Sequence, residues 1–216
     1  MKFKEMNLPN KLTTIRMACV PLMLVLFILY MLYSRLNVPC DYTIFAIDAH
    51  RYLNVTHILM AVLFAFASIT DFVDGHLARK NNIVSDYGKL MDPLADKLLV
   101  NTTIICMLAS GMYIVGQKGF LAYEILAMIM SVLVIARDIF VDALRMQALK
   151  ANAVVPASIW GKLKTATLMP GIIFMLIGSL HGLLLAIGLT LMIFGGIFAL
   201  VGGAKYYADL SKYIGD

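Results

Sequence analysis

The sequence predicts an all-α integral membrane protein, because three features of its composition agree. Hydrophobic residues make up 61% of the 216-residue chain, charged residues make up only 14%, and the mean hydropathy is +0.85. Soluble domains carry about 25% charged residues, well above the fraction in this chain. Disordered chains have few apolar residues, unlike this chain. A soluble domain of this size could not bury so much apolar surface. Three cysteines, an odd number, also exclude a small disulfide scaffold.

Six apolar stretches are long enough to cross a bilayer as helices, which requires about 20 residues each. The first four stretches are residues 17–34, 52–70, 98–117 and 119–136. The next forty residues, 165–204, contain no charge and are too long for one span. We expect a break at Gly178–Gly182, where glycine and serine favour a tight turn. The chain is therefore expected to form six transmembrane helices in a single domain, 1–216.

The N-terminal residues 1–15 are predicted to form an amphipathic juxtamembrane segment ahead of a six-helix bundle, 16–210. Apolar residues alternate with lysines here, as in segments that lie on a membrane surface. A frayed tail is the alternative that this pattern leaves open. A cleaved signal peptide is not expected, because the apolar run that follows has the full length of a span.

Six spans place both termini on one side of the membrane, and the basic residues indicate which side. Of eighteen lysines and arginines, only Arg35, Arg51 and Lys118 fall on the opposite side. Lysine and arginine concentrate in cytoplasmic loops. Both termini are therefore predicted to be cytoplasmic, in a multi-pass protein of the cell membrane, with residues 34–51 as the one sizeable outer loop.

Four aspartates cluster around the short link between the second and third spans. Asp71 and Asp74 close the second span, and Asp92 and Asp96 open the third. Residues three or four apart share one face of a helix, so each helix presents a pair of carboxylates. The two helices are expected to be antiparallel neighbours, with the two pairs of carboxylates facing each other.

Four ionised carboxylates in one place repel one another, so either several are protonated or cations lie between them. Two divalent cations would cancel the formal charge, and oxygen ligands suit Mg²⁺ or Mn²⁺ rather than zinc. A salt-bridged helix end is the simpler alternative, but it does not require this spacing of carboxylates. An ion path through a transporter would place its acids near mid-membrane rather than at one face.

Small and basic residues around the acids indicate a phosphate ligand. Gly75, Ala78 and Gly88 leave room for a ligand or a second backbone. Pro93 is expected in the first turn of the third helix. Arg79 can bind a phosphate through two parallel hydrogen bonds. Together with the cations, these residues predict a phosphate or pyrophosphate site.

The residues of this stretch resemble the signature of the CDP-alcohol phosphotransferase family, D-x2-D-G-x2-A-R-x8-G-x3-D-x3-D. Every fixed position is present: Asp71, Asp74, Gly75, Ala78, Arg79, Gly88, Asp92 and Asp96. Eight fixed positions make the match specific, and the expected six-span architecture also resembles the family. The resemblance implies an enzyme that transfers the phosphatidyl group of a CDP-linked lipid to an alcohol and releases CMP.

The resemblance also implies roles for individual residues. Two divalent cations, Mg²⁺ or Mn²⁺, would be held by Asp71, Asp74, Asp92 and Asp96. Asp96 would also act as the general base. The nucleotide of CDP-diacylglycerol would lie against Gly75, Ala78, Arg79, Ser85, Asn10 and Thr13. The family is typically homodimeric, its lipid substrate keeps its tails in the membrane, and no nucleic-acid partner is expected.

Three further segments resemble the bacterial phosphatidylglycerophosphate synthase branch of this family: residues 7–16, 136–145 and 158–165. The resemblance implies that the phosphate of glycerol 3-phosphate is bound by Arg137, Arg145 and Lys162. The sequence departs from the branch at Asp138 and Leu168, where glutamate and glutamine are expected.

The identity of the acceptor alcohol is open at this point. Inositol phosphate, inositol, serine and phosphatidylglycerol remain alternatives to glycerol 3-phosphate. Arg137 lies beside apolar residues within a helical pattern, where a cation indicates a function. Lys150 and Lys164 are instead interpreted as ordinary cytoplasmic loop charge.

Overall fold

The computed structural model describes residues 8–35, 43–48, 51–81, 86–113, 121–150 and 158–214. For residues 8–9, 33–35, 43–48, 51–54, 72–81, 86–90, 149–150, 179 and 212–214 it describes the backbone alone. The described part of the chain contains six α-helices: α1 Leu8–Arg35, α2 Val55–Asn81, α3 Asp86–Ser110, α4 Leu121–Lys150, α5 Ile159–Leu176 and α6 Gly182–Ile214. It also contains two strands, β1 Thr43–Asp48 and β2 Arg51–Asn54. Helices α1 to α3 and the strands form one compact unit, and α4 to α6 form the other.

Three of the described helices contain stretches long and apolar enough to cross a membrane: Asn10–Leu32, Met91–Ser110 and Gly182–Ser211. Helix α2 carries a shorter apolar stretch, Val55–Asp71. Large apolar side chains, among them Val62, Ile69 and Ile139, are exposed. Helices satisfy their own backbone hydrogen bonds, as a span in lipid requires. The helical architecture is thus confirmed, and six spans with cytoplasmic termini remain a prediction.

The segment between α1 and α2, expected to be an outer loop, contains an antiparallel hairpin. Thr43 pairs with Asn54, and Asp48 pairs with Arg51. The sequences TIFAID and RYLN carry β-branched and aromatic residues, which favour strands. The second predicted span consequently becomes helical at Val55 rather than at Tyr52.

Helix α1 is the centre of the first unit. It packs against both α2 and α3, which touch each other far less than either touches α1. Its buried side chains recur every three or four residues, at Asn10, Thr13, Arg16, Cys19 and Met23. This spacing places them on one face of the helix. The facing of the α2 and α3 carboxylate pairs stays a prediction, because the side chains of 72–81 and 86–90 lie outside those that the structure describes.

Two boundaries differ from those expected. Helix α1 runs without a break from Leu8 to Arg35, across the predicted boundary between residues 15 and 16. Pro93 lies inside α3 rather than in its first turn, since that helix begins at Asp86. Proline has no backbone N–H, so the carbonyl of Lys89, one turn before Pro93, lacks its helical hydrogen bond.

Helix α6 is the centre of the second unit and packs against both α4 and α5. Glycines allow this close approach. A Cβ atom at Gly195 would lie 2.5 Å from Cδ2 of Leu168, and one at Gly196 would lie 2.6 Å from Cβ of Met130. The predicted break before α6 is confirmed, because a turn of 3-10 helix occupies Gly178–Leu180.

The close approach of α6 predicts how two glycines respond to the same exchange. In Gly196→Ala the new methyl group overlaps Cβ of Met130, which moves only with the α4 backbone. In the control Gly161→Ala the nearest atom, Oγ of Ser158, is 3.7 Å away. We expect Gly196→Ala to be less stable than the control by about 1–3 kcal/mol, the usual effect of overpacking. Unfolding of the purified protein in detergent measures this, and equal stabilities would contradict it.

Candidate active site

Two of the predicted metal ligands are bound by side chains of α1. Nη1 of Arg16 lies 2.7 Å from Oδ1 of Asp71, in α2. The hydroxyl of Thr13 donates a hydrogen bond to Oδ1 of Asp92, in α3. Thr13 and Arg16 are three residues apart, about 4.5 Å along the helix axis. One face of α1 therefore brings together acids from two other helices.

The donors in this arrangement are buried and the acids are not. Thr13 and Arg16 are 0% and 1% exposed, whereas the side chain of Asp71 is 37% exposed. Asp92 and Asp96 are also partly exposed. A guanidinium buried to this degree requires an ionic partner, because burying an unpaired charge costs several kcal/mol. The acids are thus held from the protein side and remain accessible to a ligand.

The chemistry of the acids suits a hard divalent cation, because carboxylate oxygens are the ligands that Mg²⁺ and Mn²⁺ prefer. Among the side chains that the structure describes, no three of His, Cys, Asp and Glu converge closely enough to hold a metal ion. Asp74, another of the four predicted ligands, belongs to α2, but its side chain is not among those that the structure describes. The metal-binding roles therefore stay predictions.

The predicted nucleotide residues are only partly described. Gly75, Ala78 and Arg79 lie in α2 without described side chains, and Ser85 lies outside the described residues. Asn10 and Thr13 are buried on the inner face of α1. The hydroxyl hydrogen of Thr13 is engaged by Asp92, a contact that the sequence did not predict.

In the second unit, the carboxylate of Asp138 binds two cations. Nζ of Lys164 lies 2.6 Å from both of its oxygens, and Nη1 of Arg137 lies 3.1 Å from Oδ1. The side chain of Asp138 is 2% exposed, that of Lys164 is 12% exposed and that of Arg137 is 14% exposed. The interpretation of Lys164 as loop charge is therefore wrong: this residue lies in α5 and binds α5 to α4.

The three predicted phosphate-binding residues stand in different environments. Arg145 and Lys162 are exposed, whereas Arg137 is mostly buried beside Asp138. Arg137 also lies flat on α6, since a Cβ atom at Gly203 would be 3.0 Å from its Cγ. It forms part of the wall of an otherwise mostly apolar cavity of about 400 Å³ between α4 and α6. Only Arg137 of the three is thus held in one position by described contacts.

Sequence reasoning missed Arg16 and Lys164 for different reasons. Asn10, Thr13 and Arg16 recur at intervals of three, so a polar stripe on one face of α1 was visible in the sequence and could have identified Arg16. Lys164 and Asp138 are 26 residues apart on different helices. No local spacing relates such a pair, so only the packing of α5 near α4 reveals it.

Comparison with known proteins identifies the chain. The family model for CDP-alcohol phosphatidyltransferase matches residues 6–194. The chain belongs to this family, and is accordingly a membrane-embedded transferase.

Similar proteins include ones named CDP-diacylglycerol–glycerol-3-phosphate 3-phosphatidyltransferase. The Bacillus subtilis (strain 168) protein is 34% identical over 159 residues, which cover 74% of this chain and 70% of the relative. The Rickettsia bellii (strain RML369-C) protein is 32% identical over 216 residues, 99% of each chain. The Mycoplasma pneumoniae protein is 34% identical over 170 residues, 78% of this chain and 67% of the relative.

The buried carboxylate of the second unit predicts a specific pattern of stability. Lys164→Met leaves Asp138 with Arg137 as its remaining described cation, and we expect a loss of about 3–5 kcal/mol. The double variant Asp138→Asn, Lys164→Met should lose less than Lys164→Met alone, because no buried carboxylate is left undercompensated. Lys162→Met is the matched control. Lys162 lies two residues before Lys164 and is exposed, so we expect its stability to change by no more than about 0.5 kcal/mol. Similar losses in Lys164→Met and Lys162→Met would contradict the proposed stabilisation by the pair of Asp138 and Lys164.

Proposed function

We propose that this chain transfers the phosphatidyl group of CDP-diacylglycerol to sn-glycerol 3-phosphate, giving phosphatidylglycerol phosphate and CMP, in phospholipid biosynthesis. The observation that carries the proposal is the family match together with relatives whose names state this reaction, one of them aligned over 99% of this chain. The complete eight-position signature, from Asp71 to Asp96, supplies the residues for the chemistry.

Two divalent cations, Mg²⁺ or Mn²⁺, are assigned to Asp71, Asp74, Asp92 and Asp96 in this proposal. When bound, such ions neutralise the diphosphate and stabilise the departing CMP oxygen. The support is the all-oxygen donor set and the partial exposure of the three described acids. The nucleotide is assigned to Gly75, Ala78, Arg79, Ser85, Asn10 and Thr13 on the resemblance alone.

Asp96 is assigned the proton transfer. The acceptor's hydroxyl oxygen forms a bond to the phosphorus of the phosphatidyl group, the bond from that phosphorus to the CMP oxygen breaks, and the hydroxyl proton passes to the Asp96 carboxylate. Asp96 lies one helical turn beyond Asp92 and is partly exposed, so a substrate can reach it. The remaining acceleration comes from positioning and from stabilisation of negative charge.

The phosphate of the acceptor is assigned to Arg137, Arg145 and Lys162. A second anion requires cations beyond those that serve the diphosphate, and guanidinium groups bind phosphate through parallel hydrogen bonds. Asp138 holds Arg137 in place, and the N-cap of α5, where the side chain of Ser158 accepts from the N–H of Gly161, orders the helix start next to Lys162.

The proposed setting is the cell membrane. We assign the chain six spans and one domain, 1–216, made of a juxtamembrane segment, 1–15, and a bundle, 16–210. The termini and the active site are placed on the cytoplasmic side, in a homodimer. The support is the excess of basic residues on one side and the family's usual assembly.

CMP release by the purified full-length protein with CDP-diacylglycerol and Mg²⁺ tests the proposal. Glycerol 3-phosphate, inositol phosphate, inositol, serine and phosphatidylglycerol are added one at a time. Release with glycerol 3-phosphate alone supports the proposed acceptor. Release only with another acceptor keeps the chemistry and overturns the assignment of Arg137, Arg145 and Lys162. No release with any acceptor from folded protein overturns the proposed function.

Removal of the proposed base is the sharpest test of the mechanism. Asp96→Asn retains the size of the side chain but cannot accept the proton, so we expect CMP release to fall by at least about 100-fold. Asp209→Asn is the matched control, because this aspartate is exposed in α6 and should leave the rate unchanged. Unaltered thermal unfolding shows that both variants are folded. Turnover near the wild-type rate in Asp96→Asn would rule out the general-base role.

The exposed basic residues allow the phosphate site to be tested without disturbing the fold. Arg145→Gln and Lys162→Gln each remove a charge-assisted hydrogen bond, so KM for glycerol 3-phosphate should rise roughly 10- to 100-fold. KM for CDP-diacylglycerol should not change. Lys205→Gln, an exposed lysine of α6, is the control. If all three variants behave alike, these cations are ordinary surface charge.

A further inference from the structure

We infer that Thr13 and Arg16 are positioning residues of the proposed metal site. Each of them binds one oxygen of a ligand carboxylate, so that its second oxygen is directed to the cation. The inference rests on the proposed function, because it concerns how the predicted ligands are oriented. Nothing in the family signature, which begins at Asp71, includes either residue.

The contacts of Thr13 and Arg16 with the acids start from the buried face of α1. Arg16 contacts Oδ1 of Asp71, and Thr13 contacts Oδ1 of Asp92. Both donors are fully buried on the inner face of α1, while Asp71 is 37% exposed. The oxygen that each donor contacts is therefore on the protein side.

These contacts limit the rotation of the two carboxylates. The last torsion of an aspartate side chain is broad, so an unrestrained carboxylate samples many orientations. A hydrogen bond to one oxygen, as Thr13 gives to Asp92, or a close ion pair, as Arg16 forms with Asp71, restricts this rotation and fixes the direction of the other oxygen. Partners of this kind behind a metal ligand typically change metal affinity by about 10- to 100-fold when they are removed. Thr13 and Arg16 stand in that position for Asp92 and Asp71.

Thr13 and Arg16 differ in charge. Thr13 is neutral and acts only through its hydrogen bond. Arg16 also carries a fixed positive charge into a group of acids that repel one another, and this charge offsets part of their repulsion. The guanidinium is planar and rigid, whereas a lysine in its place would keep the charge without the same geometry.

Thr13 is also assigned to the nucleotide on the family resemblance, and direct contact with the nucleotide as its sole role makes a different prediction. That role predicts that loss of the hydroxyl raises KM for CDP-diacylglycerol and leaves metal binding unchanged. A positioning role predicts weaker metal binding in the absence of any nucleotide. Binding of Mn²⁺ alone therefore distinguishes the two.

The experiment measures Mn²⁺ binding by calorimetry on the full chain in detergent, without nucleotide. Thr13→Val removes the hydroxyl at nearly constant shape, and Thr13→Ser restores it. The matched control is Thr103→Val, since Thr103 is an equally buried threonine of α3 whose hydroxyl donates to the carbonyl of Leu99 at 2.8 Å. We expect Thr13→Val to weaken Mn²⁺ binding by about 10- to 100-fold. Thr13→Ser and Thr103→Val should bind as the wild type does.

Several outcomes overturn the inference. Wild-type Mn²⁺ affinity in Thr13→Val does so, and a raised KM for CDP-diacylglycerol in that variant would assign the residue to the nucleotide. Equal weakening in Thr13→Val and Thr103→Val would show a general effect of packing. If the wild type neither binds Mn²⁺ nor releases CMP, the proposed function itself fails.

The arginine is tested with two variants, because its complete burial makes loss of folding a possible result. In Arg16→Lys the charge is kept, and in Arg16→Met it is removed. We expect Mn²⁺ affinity to fall in the order wild type, Arg16→Lys, Arg16→Met, among variants with intact thermal unfolding. Affinity equal to that of the wild type in a folded Arg16→Met would overturn its role, while the result for Thr13→Val stands independently.

Discussion

The buried guanidinium of Arg16 requires a carboxylate, and this requirement determines how the first unit is assembled. The side chain is 1% exposed, so leaving it unpaired would cost several kcal/mol. Its pairing with Asp71 fixes α1 against α2 at one position. Once that position is set, Thr13, one helical turn earlier, comes to lie against Asp92 of α3. An ion pair and a hydrogen bond from α1 thus connect three helices at the predicted site.

Charge pairing serves the second unit in the same way. Asp138 is buried in α4, and its carboxylate is satisfied by Lys164 of α5 and by Arg137. Glycines of α6 complete the arrangement, because the side chain of Arg137 lies directly on Gly203. In both units, residues proposed to handle anions or cations also contribute to stability. Changes at these positions must therefore be judged by folding and by activity separately.

Much of the architecture could be predicted from local patterns, and the failures have a common cause. The break at Gly178–Leu180 followed from turn residues within a long apolar run. The start of α3 could not be predicted from local pattern. Pro93 indicated the first turn of a helix, whereas this proline lies inside a helix that begins at Asp86. No local pattern in the sequence predicted the pairing of Lys164 with Asp138, which are 26 residues apart. Periodicity shows which side of a helix is buried, but it does not show which partner covers that side.

The sequence by itself determined the class of protein, the family and the residues of the signature, because composition and spacing carry that information directly. The tertiary structure alone decided that side chains of α1 contact Asp71 and Asp92. It also decided that Arg16 and Lys164 belong to charge pairs rather than to the basic surface. The physical reason is that desolvation, which makes a charge require a partner, depends on packing between segments distant in the chain.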